Sequence, residues 1–184
     1  MIRLAHAFGI AAFAFLGACG SPDRYDVSVP EITQTERIAF ASVEVRDVSL
    51  PTYAASDEIS LRADDGTLTS TSDVLWADAP ERAIARELSQ ILARLTGRRI
   101  ASEPWPFEAF PDARLEVRFA ELVANTSGVF TASGQYFVAV EDGGRERGGV
   151  FALSVPFDSS AGPSAIARAR GQLILDLARF IARE

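Results

Sequence analysis

Two stretches of this sequence repeat their apolar residues at the spacing of an α-helix, and the rest of the chain has to supply a surface that covers them. Pro163–Arg183 carries Ile166, Ala169, Leu173, Ile174, Leu177, Phe180 and Ile181 along one stripe. An earlier stretch, from Asp78 to Gly97, places Ile84, Leu88, Ile91, Leu92 and Leu95 at steps of four, three, one and three. Such stripes face inward against another apolar layer. The earlier helix also has its own punctuation. Asp78 stands where an N-cap belongs, Pro80 falls near the first turn, and Glu81 lies at capping-box distance. Gly97 can close the helix in the left-handed conformation.

The covering layer reads as β-structure. Arg37–Leu50 is β-rich, with Ile38/Phe40 and Val43/Val45 on opposite parities, which points to a bulge or to a strand buried on both faces. Glu58–Thr71 resembles a hairpin turning at Asp64-Asp65-Gly66. Arg114–Phe119 alternates strictly, Val129–Val140 is a longer strand with Gly134 as a bulge candidate, and Gly143-Gly144 lies in the turn into Gly148–Phe157. Strands that follow one another by hairpins favour antiparallel pairing. The expected fold is therefore α+β: a mainly antiparallel sheet with two amphipathic helices packed on one face.

The first residues have a different character. Arg3 gives a short basic region, Leu4–Leu16 is largely apolar, and Leu16-Gly17-Ala18-Cys19 follows. Thirteen residues are too few to cross about 30 Å of hydrocarbon as a helix, but they suit the apolar region of a secretory signal. The last four residues resemble a bacterial lipobox, in which the cysteine is lipidated and the chain is cut between Ala18 and Cys19. The expected organisation is a signal peptide over 1–18, the lipidated Cys19 with a polar tether over 19–36, and one domain over 37–184. Tyr25, Val27 and Val29 alternate within the tether, so part of it can add as an edge strand.

What remains after the cut is acidic. All the basic residues are arginine, and 17 of them face 25 acidic residues, for a charge of about −8. Nucleic acid is bound through basic patches, so it is not an expected partner. The lipid, not charge, has to supply the membrane attachment.

The chemistry open to the mature chain is narrow. The only histidine, His6, lies in the signal region, and Cys19 is the only cysteine. Serine–histidine and cysteine–histidine nucleophilic mechanisms therefore have no base, and His/Cys zinc sites have no ligands. Without lysine there is neither Schiff-base chemistry nor a P-loop. Carboxylates remain: Asp57/Glu58, Asp64/Asp65, Glu141/Asp142 and Glu108. Two of these pairs adjoin glycines in expected turns, where Asp serves the backbone. The expectation is a protein that is not an enzyme and uses no cofactor or metal. Two aromatic segments stand out as partner contacts. One combines Leu50, Pro51 and Tyr53 with Trp76; the other is Trp105, Phe107 and Phe110 among prolines.

Taken together, Cys19, Tyr25, Leu50-Pro51-Thr52-Tyr53, Trp76-Ala77 and the helix from Ala83 to Leu95 resemble the PqiC-type auxiliary lipoproteins, over nearly the whole mature chain. Ala54 departs from the family's usual Leu, and Asp78 from its usual Glu. The resemblance implies a non-catalytic, lipid-anchored subunit of an MCE-type lipid transport system. Its partner would be an MCE-domain protein that spans the periplasm, with a homo-oligomer left open. Gly20, rather than Asp, after Cys19 points to the periplasmic face of the outer membrane of a Gram-negative cell. Two other classes stay open: a pilotin-like assembly adaptor and a carboxylate-based envelope hydrolase.

Overall fold

The computed structural model describes residues 21–140, 144 and 146–184. The readings that fall on residues 1–18, on Cys19 and on Glu141/Asp142 lie outside the described residues. In chain order the elements are β1 (Asp23–Tyr25), β2 (Ser42–Val45), α1 (Thr52–Ala55), β3 (Leu61–Arg62), β4 (Leu68–Thr69), β5 (Val74–Trp76), α2 (Pro80–Thr96), β6 (Arg99–Ser102), β7 (Ala113–Asn125), β8 (Val129–Ala139), β9 (Arg147–Pro156) and α3 (Pro163–Arg183).

Strand β7 organises the sheet. Along one side it pairs parallel with β2 at its start, and parallel with β3 at its end. Along the other side it pairs antiparallel with β8, which pairs antiparallel with β9. Strand β2 also pairs parallel with β6, and a separate two-stranded sheet joins β1 and β5 in parallel. The fold is α+β as expected, but "mainly antiparallel" describes it loosely. The long ladders are antiparallel because β7, β8 and β9 follow one another by turns. The short strands β2, β3 and β6 reach their neighbours by longer connections, and such crossovers bring strands together in parallel.

The sequence keeps its apolar face inward along β7 by changing phase once. Leu115, Val117 and Phe119 point to the core, and after Ala120 the buried residues include Leu122 and Ala124. The ladder shifts between Phe119 and Glu121, so Ala120 is the extra residue of a bulge. The bulge is thus on β7, not on β8 at Gly134. Gly134 lies opposite Phe119, where an added Cβ would stand 2.1 Å from the Arg118 carbonyl oxygen. Only glycine fits that close approach.

Both long helices cover the same face. Leu88, Ile91 and Leu95 of α2 and Leu173, Ile174 and Leu177 of α3 are fully buried with the inner residues of the sheet. Each such side chain contributes roughly 1.5–3 kcal/mol relative to exposure. Gly97 ends α2 at φ 66°, its N–H donating to the Ala93 carbonyl. The start of α2 differs from the expected capping box. Pro80 holds the residue before it in extended geometry, so Ala79 is the N-cap, and its methyl side chain has no acceptor for a capping bond. Asp78 instead accepts from the Ala79 N–H at 2.8 Å and from Arg86 at 2.6 Å.

The polar segment ahead of the domain packs on it. Strand β1 pairs with β5, Val27 is buried, and the Glu36 N–H donates to the Leu95 carbonyl. An ion pair between Glu36 and Arg183 fixes its far end to α3.

Candidate functional site

Strand β2 brings the Leu50–Tyr53 corner to the middle of β7, where Ser49 bridges Arg118. The Pro51 carbonyl starts the single turn of α1 by accepting from the N–H groups of Ala54 and Ala55. Leu50, Pro51 and Tyr53 are half-buried, and the Tyr53 hydroxyl accepts from the Leu122 N–H at 3.3 Å. Trp76, at the end of β5, is only 7% exposed. Tyr53 and Trp76 do converge, on one cavity of about 20 Å³ that Ser60 and Arg170 also line. That volume holds a water and nothing larger.

The centre of this region is a group the sequence reading passed over. Arg170 of α3 is 2% exposed, its guanidinium lies 4.4 Å from the Trp76 ring centroid, and it donates to Glu87 of α2 at 2.6 Å. Cation–π contact and ion pair together hold α3, α2 and β5 around one charge. Burial pushes the Glu87 carboxyl up, while the charge of Arg170 opposes the shift. Burial also pulls Arg170 down from its ordinary value, against the same partner. Among the described residues, Glu87 Oε2 and Arg170 Nε have no hydrogen-bond partner. The signal for this pair was present: Arg170 stands four residues after Ile166 and three before Leu173, on the buried stripe itself. Glu87 stands three after Ile84 and four before Ile91, on the matching stripe.

Two of the carboxylates read as acid–base candidates are bonded locally. Asp65 accepts from the Thr67 N–H at 2.9 Å beside Gly66 at φ 86°, and that bond lowers its pKa. Glu58 bonds the Ser70 hydroxyl, and Glu108 is exposed. No group of three acidic, histidine or cysteine side chains that could hold a metal occurs among the described residues.

The second aromatic segment has a different setting. Residues 103–112 cross from β6 to β7 and are pinned at both ends. Glu103 accepts from the Asp47 N–H and pairs with Arg46; Asp112 accepts from the N–H groups of Ala41 and Ser42. Between these pins the Trp105 Nε1–H donates to the Ala109 carbonyl at 2.7 Å. Its ring meets Phe107 edge-on at 4.9 Å, and Arg99 lies 5.3 Å from the Phe107 centroid. Phe107 is 43% exposed and Phe110 73%.

Cavities give no enclosed ligand site among the described residues. An apolar crevice between β2, α2 and α3 measures about 30 Å³, far below the ~300 Å³ of small-molecule pockets. A cleft of about 410 Å³ beside Gln34, Leu153 and Phe180 is open, and its arginines already pair with Asp176 and Glu36.

Two solved structures share this fold. A crystal structure described only as an uncharacterised protein superposes with a TM-score of 0.69 at 17% identity, covering 87% of this chain and 97% of the other. A Xanthomonas campestris protein of the DUF330 family gives 0.68 at 16% identity, covering 87% and 93%. At these identities the likeness is one of fold. No curated protein matches the chain. Residues 25–182 match the family described as the ABC-type transport auxiliary lipoprotein component, and the chain belongs to that family.

Proposed function

We propose that this protein is a non-catalytic, lipid-anchored subunit of an MCE-type transport system that moves lipid between membranes. Its seat is the periplasmic face of the outer membrane, and its partner is an MCE-domain protein. The observation that carries this reading is the position of the family match. The auxiliary domain begins at Tyr25, six residues after the cysteine of the Leu16-Gly17-Ala18-Cys19 run. Among the described residues no helix is long and apolar enough to cross a membrane, which agrees with attachment through lipid on Cys19. Two or three acyl chains, at about 0.8 kcal/mol per buried methylene, make a lasting anchor.

Co-purification of the lipidated protein with an MCE-domain protein, identified by mass spectrometry, tests the reading. Recovery of a secretion-pore protein instead would move it to the assembly adaptors. Labelling with a fatty acid is expected to fail in Cys19→Ala, and label retained by that variant would refute the anchor. Fractionation that finds the protein mainly in inner membranes would refute the location.

A further inference from the structure

The two ends of the domain differ in what they can meet. Strand β1 begins at Asp23, four residues after Cys19, and four residues of extended chain reach at most about 14 Å. Tyr25 pairs with Trp76, and Trp76 shares a cavity with Leu122–Ala124, near the end of β7. Helix α2 then leaves from Pro80, and its 17 residues carry the chain roughly 25 Å away before β6 begins at Arg99. The strap over residues 103–112 belongs to that far end, where Asp112 precedes the first residue of β7.

The far end is aromatic, and Arg98 and Arg99 stand there beside the strap's own exposed carboxylate, Glu108. Phe107 and Phe110 are exposed on a strap whose shape is already set by the Trp105–Ala109 bond and the pins at Glu103 and Asp112. Arg98 and Arg99 are exposed beside it, and among the described residues neither is held in an ion pair. The end near the anchor carries Asp23, Asp57, Glu58 and Asp73 around β1 and β5, with Arg24 bonded to the Trp76 carbonyl. Pre-ordered aromatics beside unpaired arginines fit a protein segment that carries apolar side chains next to carboxylates.

We infer that the strap face, with Phe107, Phe110, Arg98 and Arg99, is the docking surface for such a segment of the transport partner. The inference rests on the reading above and adds to it where the partner sits: on the end turned away from the anchoring bilayer.

The test uses the lipidated full-length protein in detergent and the purified periplasmic region of the MCE-domain partner. Phe110→Ala is expected to weaken binding about thirtyfold with an unchanged melting transition. Arg98→Glu with Arg99→Glu should weaken it further and flatten its dependence on salt. Equal affinity in these variants, with the unsubstituted protein binding well, overturns the docking surface and leaves the function standing. Failure of the unsubstituted protein to bind overturns both. A photo-crosslinking residue is also placed at position 110, and separately at 73, in membranes. Adducts with the partner from 110 support the assignment. Adducts from 110 with lipid or with a second copy, or partner adducts from 73 alone, overturn it.

Discussion

The chain has two tryptophans, and they do opposite things. Trp76 ends a strand, is buried at 7% exposure, and lies under the guanidinium of Arg170. Trp105 sits in a loop, is half-buried, and uses its N–H to lock the turn that leaves Phe110 in solvent. Both stand beside the ends of regular elements in sequence, so position along the chain does not separate them. The neighbours do. Trp76 precedes a helix whose buried stripe faces that of α3, whereas Trp105 is held among Pro104, Pro106 and Pro111, on a strap tied down through Glu103 and Asp112. One region is where the molecule is held together, and the other is where it presents a shape.

The strongest way to break this contrast is to truncate each ring. Trp76→Ala removes a buried side chain and uncovers a buried cation, so it should cost about 3–5 kcal/mol. Trp105→Ala should cost much less, since its ring is partly in water already. Urea denaturation of both variants measures the difference. Similar losses would mean that the strap belongs to the core.

The ion pair beneath Trp76 sharpens the point. Replacing Arg170 by Met alone leaves Glu87 buried without a counter-charge and should destabilise by about 3–5 kcal/mol. Replacing Glu87 by Leu in the same chain should recover most of that loss, because two charges of which each leaves an atom unpaired are exchanged for packing. A double-mutant cycle by thermal or urea unfolding reads the coupling directly. Additive losses would show that the pair is not a unit.

Acidity separates the buried Glu87 from three aspartates at the surface. The Glu87 carboxyl is raised by burial, so the folded state keeps its proton to higher pH than the unfolded chain does. Its contribution is full below the ordinary carboxylate range and is lost as pH rises through the folded value. Asp78, Asp158 and Asp65 are lowered by the hydrogen bonds they accept, from Arg86, Ser160 and Thr67 respectively. Their contribution is present above the ordinary range and is lost as pH falls through the folded values. Stability should therefore fall on the acid side for the surface aspartates, and should carry an opposite slope above roughly pH 4.5 from Glu87. Only the second slope should vanish in the Glu87→Leu, Arg170→Met chain. A slope that survives there would assign it to another group.

Much of this architecture can be read in the sequence, and the exceptions have physical causes. The period of α3 gives Pro163–Arg183 without adjustment, because a stripe that long admits one phase only. Asp64-Asp65-Gly66 gives the β3–β4 turn, and Gly97 the end of α2, since each residue has a conformational reason to be there. The second half of β7 is hidden because the bulge at Ala120 reverses the alternation. Strand β6 is hidden because Arg99–Ser102 is short and does not alternate. Strand direction is set by the connections and not by the strands, so the parallel pairs of β2 leave no local mark. Of the aromatic candidates, composition identified both segments. The setting of Trp76 depended on Arg170 and Glu87, charged residues on apolar stripes that stand out as exceptions to the helical spacing.

The smallest expected effect tests whether the strap is shaped in advance. Trp105→Phe keeps an aromatic ring against Phe107 but removes the N–H that the Ala109 carbonyl accepts. That carbonyl is near the surface and can turn to water, so the loss should be about 0.5–1.5 kcal/mol. In global unfolding that shift is small. Locally it should be large, because the bond closes the turn that places Phe110. Amide exchange along residues 105–110 should accelerate in this variant while α2 and α3 keep their protection. If exchange in the strap is already fast in the unsubstituted protein, the aromatics are not held in place. Any partner would then have to order them on binding, at about 0.5–1.5 kcal/mol for each side chain immobilised. If it is slow and becomes fast only on losing one hydrogen bond, the loop is a rigid presentation surface whose shape is set by Trp105, as the core around Arg170 is set by Trp76.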